Sequence, residues 1–392
     1  MKTPFCNRSC PVKSTIKSLT LNPKEDRRLL RGHLWAYRNE FKHLPEGMAD
    51  GEVVDVFSDG RRFVGRGFYQ AQGGIAVRIV TRHQEELDAE FFLARFAAAR
   101  ALRARLFPDS SVYRWIYGES DGLPGLVADR YGSVAVVRAA SVFYDACAEM
   151  IAGACMADNG ATGVVFAWGN TTKTFGTVPE LVPLDVDGVR AELNLAEAQK
   201  TGLFLDQRRN WQSIRTFAQN ARVFDGHCYH GFWSCNAALA GARSVLGVDT
   251  SEKAVEQARR NAALNGAADR CEFVKSDVET VLGESTKFFD VVVLDPPALA
   301  KNRTLVRKAL PRYQAINALA LGRIAPEGGF LITSSCSHFV DTPTFLEMVK
   351  YAASAVGRRV SLLEMRGAAP DHPVLLTMPE TAYLKCAVLR VE

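Results

Sequence analysis

Four acidic residues in the second half of the chain each close a short apolar run, and together they could build a binding site. Asp225-Gly226-His227-Cys228-Tyr229-His230-Gly231 follows RVF. Glycines in such a loop let the backbone approach a ligand before a helix opens. Asp249 follows SVLGV, where an acid is placed to bind a ribose hydroxyl. Asp277 follows CEFVKS, where a carboxylate can accept from an adenine amino group. Asp295-Pro296-Pro297 follows VVVL. Taken alone, Asp249 or Asp277 reads equally well as a helix N-cap. The ordered set, ending in Asp-Pro-Pro, fits a nucleoside cofactor with a base pocket beside it. A nicotinamide site shares the first two features, but Gly-x-Gly-x-x-Gly is absent and no pyrophosphate cradle is evident.

A fifth apolar run ends in Ser334-Ser335-Cys336-Ser337. Most lone cysteines are small buried hydrophobes. Opposite Asp-Pro-Pro, however, a thiolate has a use. Carbon 5 of a pyrimidine is a poor nucleophile, and thiolate addition at carbon 6 makes it enamine-like. Forming the thiolate first needs a polar or electropositive site. Asp295 would hold the cytosine edge by hydrogen bonds.

These residues need a scaffold that brings strand ends together. From about Leu193 the sequence alternates strand and helix. RVFDGH, SVLGVD, CEFVKSD, FFDVVVLDPP and GGFLITSSC read as strands, and FWSCNAALAGA, EKAVEQARRNAALNG, TVLGE, YQAINALALGRIA and TFLEMVKYAASAV as helices. That pattern predicts a parallel sheet with helices on both faces, closed by RVSLLEMR and AYLKCAVLRV. In such sheets ligands bind beyond the carboxyl ends of the strands. Upstream, SLTLNP, EVVDVFS, RFVGRGFYQ and IAVRIVT predict a β-rich module, with a short helix near Pro23–Arg31. Residues 85–107 predict an amphipathic helix with Phe91, Phe92, Phe96 and Leu102 on its apolar face and Arg95, Arg100, Arg103 and Arg105 mostly elsewhere. A second β-rich module follows, in which GESDGLPG is a turn between strands.

The bulk numbers agree with two or three domains in 392 residues. No apolar run reaches membrane-spanning length, and the first residues lack the apolar core of a secretory signal, so a cytoplasmic protein is expected. The nine scattered cysteines suit reduced thiols rather than a disulfide framework. No metal site is expected, since Cys6 and Cys10 lack a second ligand pair with finger spacing. The net charge of +5 is concentrated: residues 13–43 carry eight cations against three acids. Such a basic face suits nucleic acid, and a solvated surface is the plainer alternative. Between Pro297 and Glu327 no acid appears, whereas Lys301, Arg303, Arg307, Lys308, Arg312 and Arg323 do, as a phosphate-bearing substrate would require.

RGHLWAY, GESDGLPGLVADRYG, KTGLFLDQR, the Asp225–Gly231 loop, LGVDTS, VVVLDPP, SSCS, DHP and AYLK together resemble a known family over nearly all the chain from Ser18. It is the bacterial class I methyltransferases that form 5-methylcytosine in 23S ribosomal RNA and carry an N-terminal PUA domain. The resemblance implies an α/β, Rossmann-like catalytic domain with a mostly parallel seven-stranded sheet over 193–392. Before it would come a flexible leader (1–17), a PUA-like domain (18–84) and a central α+β domain (88–190). It implies S-adenosyl-L-methionine as cofactor, held by Phe204, Asp206, Arg208, Asp225, Gly226, Tyr229, Gly231, Asp249, Asp277, Asp295 and Pro296. Phe204, Asp206 and Arg208 would help close over it. Cys336 would be the nucleophile and Asp295 its catalytic partner. RNA, free or in a ribosomal subunit precursor, would be the partner; a homodimer is left open and no membrane is involved. His227 and His230 stand where the family usually has Phe and Thr. No second cysteine stands beside Asp295, so product release would need another base. Two other readings remain: methylation of a base nitrogen, which needs no cysteine, and an idle RNA-binding assembly factor that keeps the fold.

Overall fold

The computed structural model describes residues 16–157, 161–195, 200–300 and 302–392. Cys6, Cys10, Lys13 and Lys301 lie outside the described residues. The chain folds as two compact units. One comprises Met1–Val182, Ala198–Gly202 and Pro370–Thr381; the other comprises Pro183–Glu197, Leu203–Ala369 and Ala382–Glu392. The division falls before the 190–193 region expected from the sequence, and the DHP segment joins the first unit.

The first unit holds two five-stranded sheets. Strands β1 (Lys17–Thr20), β2 (Trp35–Tyr37), β3 (Val53–Phe57), β4 (Phe63–Tyr69) and β5 (Ile75–Thr81) lie in the order β1-β3-β4-β5-β2, and α1 (Asp26–Leu30) follows β1. Alternating apolar residues such as Val54, Val56, Val64 and Ile79 form the core of this module. Arg28 is bound to Glu40 and the Trp35 carbonyl, and Lys17 and Lys42 pair with Glu52 and Asp59. Part of the expected basic face is thus ion-paired, although Lys17 and Lys42 stay exposed together with Lys24, Arg27 and Arg31.

Helix α2 (Ala89–Leu106) starts at Asp88, whose carboxylate caps the Phe91 amide. Strands β6 (Val112–Tyr117), β7 (Leu126–Tyr131) and β8 (Val134–Ala139), helices α3 (Val142–Ala146) and α4 (Ala148–Met156), and strands β9 (Gly163–Trp168) and β10 (Thr171–Gly176) follow, with sheet order β10-β9-β8-β7-β6. GESDGLPG is indeed the connection between β6 and β7. The apolar face of α2 differs from expectation. Phe91, Phe92 and Phe96 are buried, but Leu102 is exposed and Arg103 is fully buried in its place. The reason is electrostatic. Arg103 forms two hydrogen bonds to the Asp121 carboxylate, at 2.6 and 2.7 Å, and donates to the carbonyls of Arg114 and Asp371.

The second unit begins within the hairpin of β11 (Leu181–Val186), from Pro183 on, and β12 (Val189–Asn194), followed by α5 (Arg208–Trp211). Its sheet is built from β13 (Arg222–Gly226), β14 (Ser244–Asp249), β15 (Cys271–Lys275), β16 (Val291–Leu294), β17 (Gly329–Ser335), β18 (Val360–Arg366) and β19 (Lys385–Val391). Helices α6 (Phe232–Leu239), α7 (Glu252–Leu264), α8 (Val278–Glu284), α9 (Val306–Gly322) and α10 (Thr342–Ala355) connect them. The strand order is β15-β14-β13-β16-β17-β19-β18, with only β19 antiparallel to its neighbours. This is the Rossmann-like, mostly parallel seven-stranded sheet predicted. Order reverses between β13 and β16, which locates the switch point. Helix α9 begins at Val306, earlier than the run from Tyr313 suggested, and carries Pro311 inside it. Among the described residues no helix is long and apolar enough to cross a membrane.

Candidate active site at the carboxyl ends of the strands

The four acids that close apolar runs, with Cys336, stand at or just beyond the carboxyl ends of β13 to β17, whereas Asp206 lies in the turn before α5. The loop after β13 is shaped by its neighbour strand. Cys228 N–H donates to the Val248 carbonyl at 3.0 Å, and Tyr229 N–H to the Asp249 carboxylate at 3.0 Å. His227, Tyr229 and Gly231 take left-handed backbone conformations, with φ of 63°, 48° and 74°. A Cβ on Gly231 would lie 3.0 Å from the Ala258 methyl, and one on Gly226 3.0 Å from Val278. Packing of the adjoining helices and strands therefore disfavours a side chain at either glycine.

Asp225 is completely buried. One carboxylate oxygen accepts from the Ser234 amide at 3.1 Å and hydroxyl at 2.6 Å; the other has no partner. Burial pushes this carboxyl up to about 7, helped by the charges of Asp295 and Asp249 and opposed by the Ser234 hydrogen bonds. Asp249 accepts from Tyr229 N–H on one oxygen and Ser251 N–H on the other. It is not the cap of α7, which is Ser251; Asp277 does cap α8, accepting from Thr280 N–H at 3.1 Å. Phe204 meets Tyr229 edge to face at 5.0 Å, and Tyr229 stacks on His230 at 3.7 Å, giving an aromatic wall beside Asp249. His227 and His230 are held neutral by burial, His230 down to about 3, and each keeps one ring nitrogen buried without a partner.

Asp295 lies across the switch point. Its amide donates to the Gly226 carbonyl at 3.2 Å. Gln207 and Trp233 donate to its two oxygens at 2.7 and 3.1 Å. Burial pushes this carboxyl up to about 6, with the Asp206 charge adding and the Trp233 and Gln207 bonds opposing. Asp206 accepts from Gln207 N–H at 3.1 Å and from the Tyr383 hydroxyl. Phe204, Asp206 and Asp295 are thus brought together. Arg208 is not among them: its guanidinium turns to the Asp187 carboxylate between β11 and β12 and is fully buried. Gln207 and Trp233 were missed as site residues. Gln207 at least stood in the KTGLFLDQR segment; Trp233 gave no signal.

Cys336 follows β17. Its sulfur lies 3.9 Å from the Pro296 carbonyl oxygen, and it is half-buried. Every other cysteine among the described residues is buried, and burial pushes the Cys228 and Cys235 thiols up. The Tyr313 hydroxyl joins Ser335 and Ser337 at 3.1 and 2.9 Å, and Ser337 accepts from Ala300 N–H, so the segment after Asp-Pro-Pro is tied to the cysteine loop. Arg303, Arg307, Lys308 and Arg312 are exposed beyond it. Arg323 instead donates to the carbonyls of Leu282 and Gly283.

Residues 175–371 match the family described as S-adenosylmethionine-dependent methyltransferase, and 19–82 match PUA-like domain. A relative from Alteromonas mediterranea named ribosomal RNA large subunit methyltransferase I is 33% identical over 389 residues, covering 95% of this chain and 98% of that protein. This chain belongs to the S-adenosylmethionine-dependent methyltransferase family. The methyltransferase is also 34% identical over 391 residues to the protein of the same name from Pseudoalteromonas atlantica, covering 95% and 99% of the two chains. Among solved structures, a candidate SAM-dependent methyltransferase from Streptococcus mutans superposes with a TM-score of 0.83 at 19% identity, covering 96% of this chain and all of that one. SMU.776, solved in complex with SAH, does so with 0.85, also at 19% identity, with the same coverage. At that identity the likeness establishes the fold.

S-adenosylmethionine is the cofactor of the methyltransferase. The residues present fit it. An ammonium-bearing ligand suits the unpartnered, buried oxygen of Asp225, and a ribose suits the Asp249 carboxylate at the loop edge.

Proposed function

We propose that this methyltransferase forms 5-methylcytosine in large-subunit ribosomal RNA through a covalent adduct on Cys336. The observation that carries the reading is the setting of Cys336: it is the one described cysteine that is not buried, at the end of β17, with its sulfur against Asp-Pro-Pro. The relatives' shared name and the PUA-like segment support an RNA substrate.

The cofactor supplies an electrophilic methyl group. Asp225, Gly226, Tyr229 and Gly231 would hold its amino-acid end, Asp249 its ribose and Asp277 its adenine, with Phe204 and Asp206 closing the site and Arg208 acting indirectly through Asp187. The remaining work falls on side chains. The Cys336 thiolate adds to carbon 6 of the target cytosine, and the electron pair moves to carbon 5, which accepts the methyl. Asp295 and Pro296 hold the base edge. With a carboxyl raised to about 6, Asp295 can carry a proton toward the ring nitrogen as charge develops. Loss of the carbon-5 proton to a base returns the electrons, breaks the carbon–sulfur bond and frees the thiolate. Arg303, Arg307, Lys308 and Arg312 would meet backbone phosphates.

The test is incubation of the full chain with unmodified ribosomal RNA and methyl-labelled cofactor, followed by separation of labelled nucleosides. Label in 5-methylcytosine, absent with Cys336→Ala, is the expected result. Label in a purine, or an unaffected mutant, would replace the cysteine mechanism with nitrogen methylation. Cofactor binding without label on any RNA would leave only the idle assembly factor.

A further inference from the structure

Lys385 opens β19 and is 5% exposed. Lysines are almost never buried this deeply unless something holds the charge. In the sheet Lys385 pairs with Ser335, the residue before Cys336. Its ammonium donates to the Ser337 carbonyl at 2.6 Å and to the Tyr383 carbonyl at 2.7 Å. It therefore grips the cysteine loop from the residue after the sulfur, while the strand register fixes the residue before it. An ammonium has three donors, and these bonds use two.

We propose that Lys385 is the positioning residue for Cys336: it fixes the loop and keeps a positive charge beside the sulfur, so that the thiolate forms near neutral pH. The proposal rests on the reading of Cys336 as nucleophile. Burial alone would drive a thiol toward its neutral form, and a neighbouring cation opposes this. The electrostatic partners of the ammonium are Cys336 and Asp341, both of which favour its charged form. Asp341 faces solvent and is committed to the Thr344 amide at the start of α10. From α9 the Tyr313 hydroxyl reaches Ser335 and Ser337. Burial lowers the ammonium to about 8, so it stays mostly charged at pH 7. Nothing else in the proposed chemistry uses this lysine.

The test reads the sulfur directly. Apo protein is alkylated with iodoacetamide across pH 6–10, and modification of Cys336 is followed by peptide mass spectrometry, beside Lys385→Met and Lys385→Arg. The expected result is a midpoint about one pH unit higher in Lys385→Met, hence about tenfold slower alkylation at pH 7, with Lys385→Arg restoring most of the shift. Methylation by Lys385→Met should lose kcat at pH 7, keep its KM for RNA and recover toward pH 9. Superimposable alkylation profiles for wild type and Lys385→Met would overturn the proposal. If Lys385→Met does not melt cooperatively, Lys385→Gln against Lys385→Arg reads the same difference, and equal midpoints for those two would also overturn it. The underlying reading fails separately: 5-methylcytosine formed by Cys336→Ala removes the nucleophile whatever the alkylation shows.

Discussion

Asp225 and Asp295 bring two carboxyl groups into the interior at adjoining strand ends, and both are raised by burial, to about 7 and about 6. Between pH 4 and 7 the folded state holds protons that the unfolded chain has released. Stability contributed by these groups is therefore greatest at the acid end and falls as pH rises through that window. Replacing Asp225 with Asn keeps an acceptor for Ser234 and removes the titration. Its urea midpoint should exceed that of the wild type at pH 7.5, by about 1–3 kcal/mol in stability, and approach it at pH 4.5. Equal differences at both pH values would show that Asp225 does not titrate there. The acids themselves were legible because each closes an apolar run. Their partners were not. Gln207 and Trp233 reach Asp295 from 88 and 62 residues away in sequence, and only the folded sheet brings them to its carboxylate. The Arg208–Asp187 pair was not legible for the same reason, since Asp187 lies on a turn with no chemical signature.

At the scale of elements, period and length carried most of the strands and helices of the catalytic sheet. The exception is instructive. Helix α9 starts at Val306, but Pro311 sits inside it, and a proline biases the residues before it away from helix. Cations at 307, 308 and 312 further hide the apolar repeat. Because Pro311 cannot donate to the carbonyl of Arg307, and its side chain is exposed, Pro311→Ala should raise stability by about 1–3 kcal/mol, read as a higher melting temperature. A lower one would mean that the proline fixes the entry to α9. The buried Arg103 of α2 shows the opposite failure. Charge patterning set it off the apolar face, whereas a carboxylate supplied by the β6–β7 connection made burial favourable.

At the scale of the molecule, strand–helix alternation predicted one catalytic half after about residue 193, yet Pro370–Thr381 belongs to the other unit. No local pattern marks that return. Within the first unit the segment is bonded, not merely adjacent. The Asp371 carboxylate accepts from the Arg114 amide at 2.8 Å, its carbonyl accepts from Arg103 at 2.7 Å, and the Tyr117 hydroxyl donates to the Thr381 carbonyl at 2.6 Å. Asp371→Ala should cost about 1–3 kcal/mol, because it leaves the Arg114 amide without its acceptor and His372 without its carboxylate partner. A fragment of residues 1–182 should melt well below the same unit in the full chain, as followed by the fluorescence of Trp115. A fragment as stable as the intact unit would show the segment to be dispensable.

That interleaving sets an order of events during synthesis. Domains usually complete from the N-terminus as the chain emerges. Here the PUA-bearing unit waits: the Pro370–Thr381 segment, which completes the bonds of Arg103 and accepts from the Arg114 amide, is made only after Leu203–Ala369, almost the whole of the methyltransferase unit. A newly made chain would thus gain its finished PUA-bearing unit and its finished methyltransferase unit at nearly the same moment, from a single stretch of about twenty residues at its end.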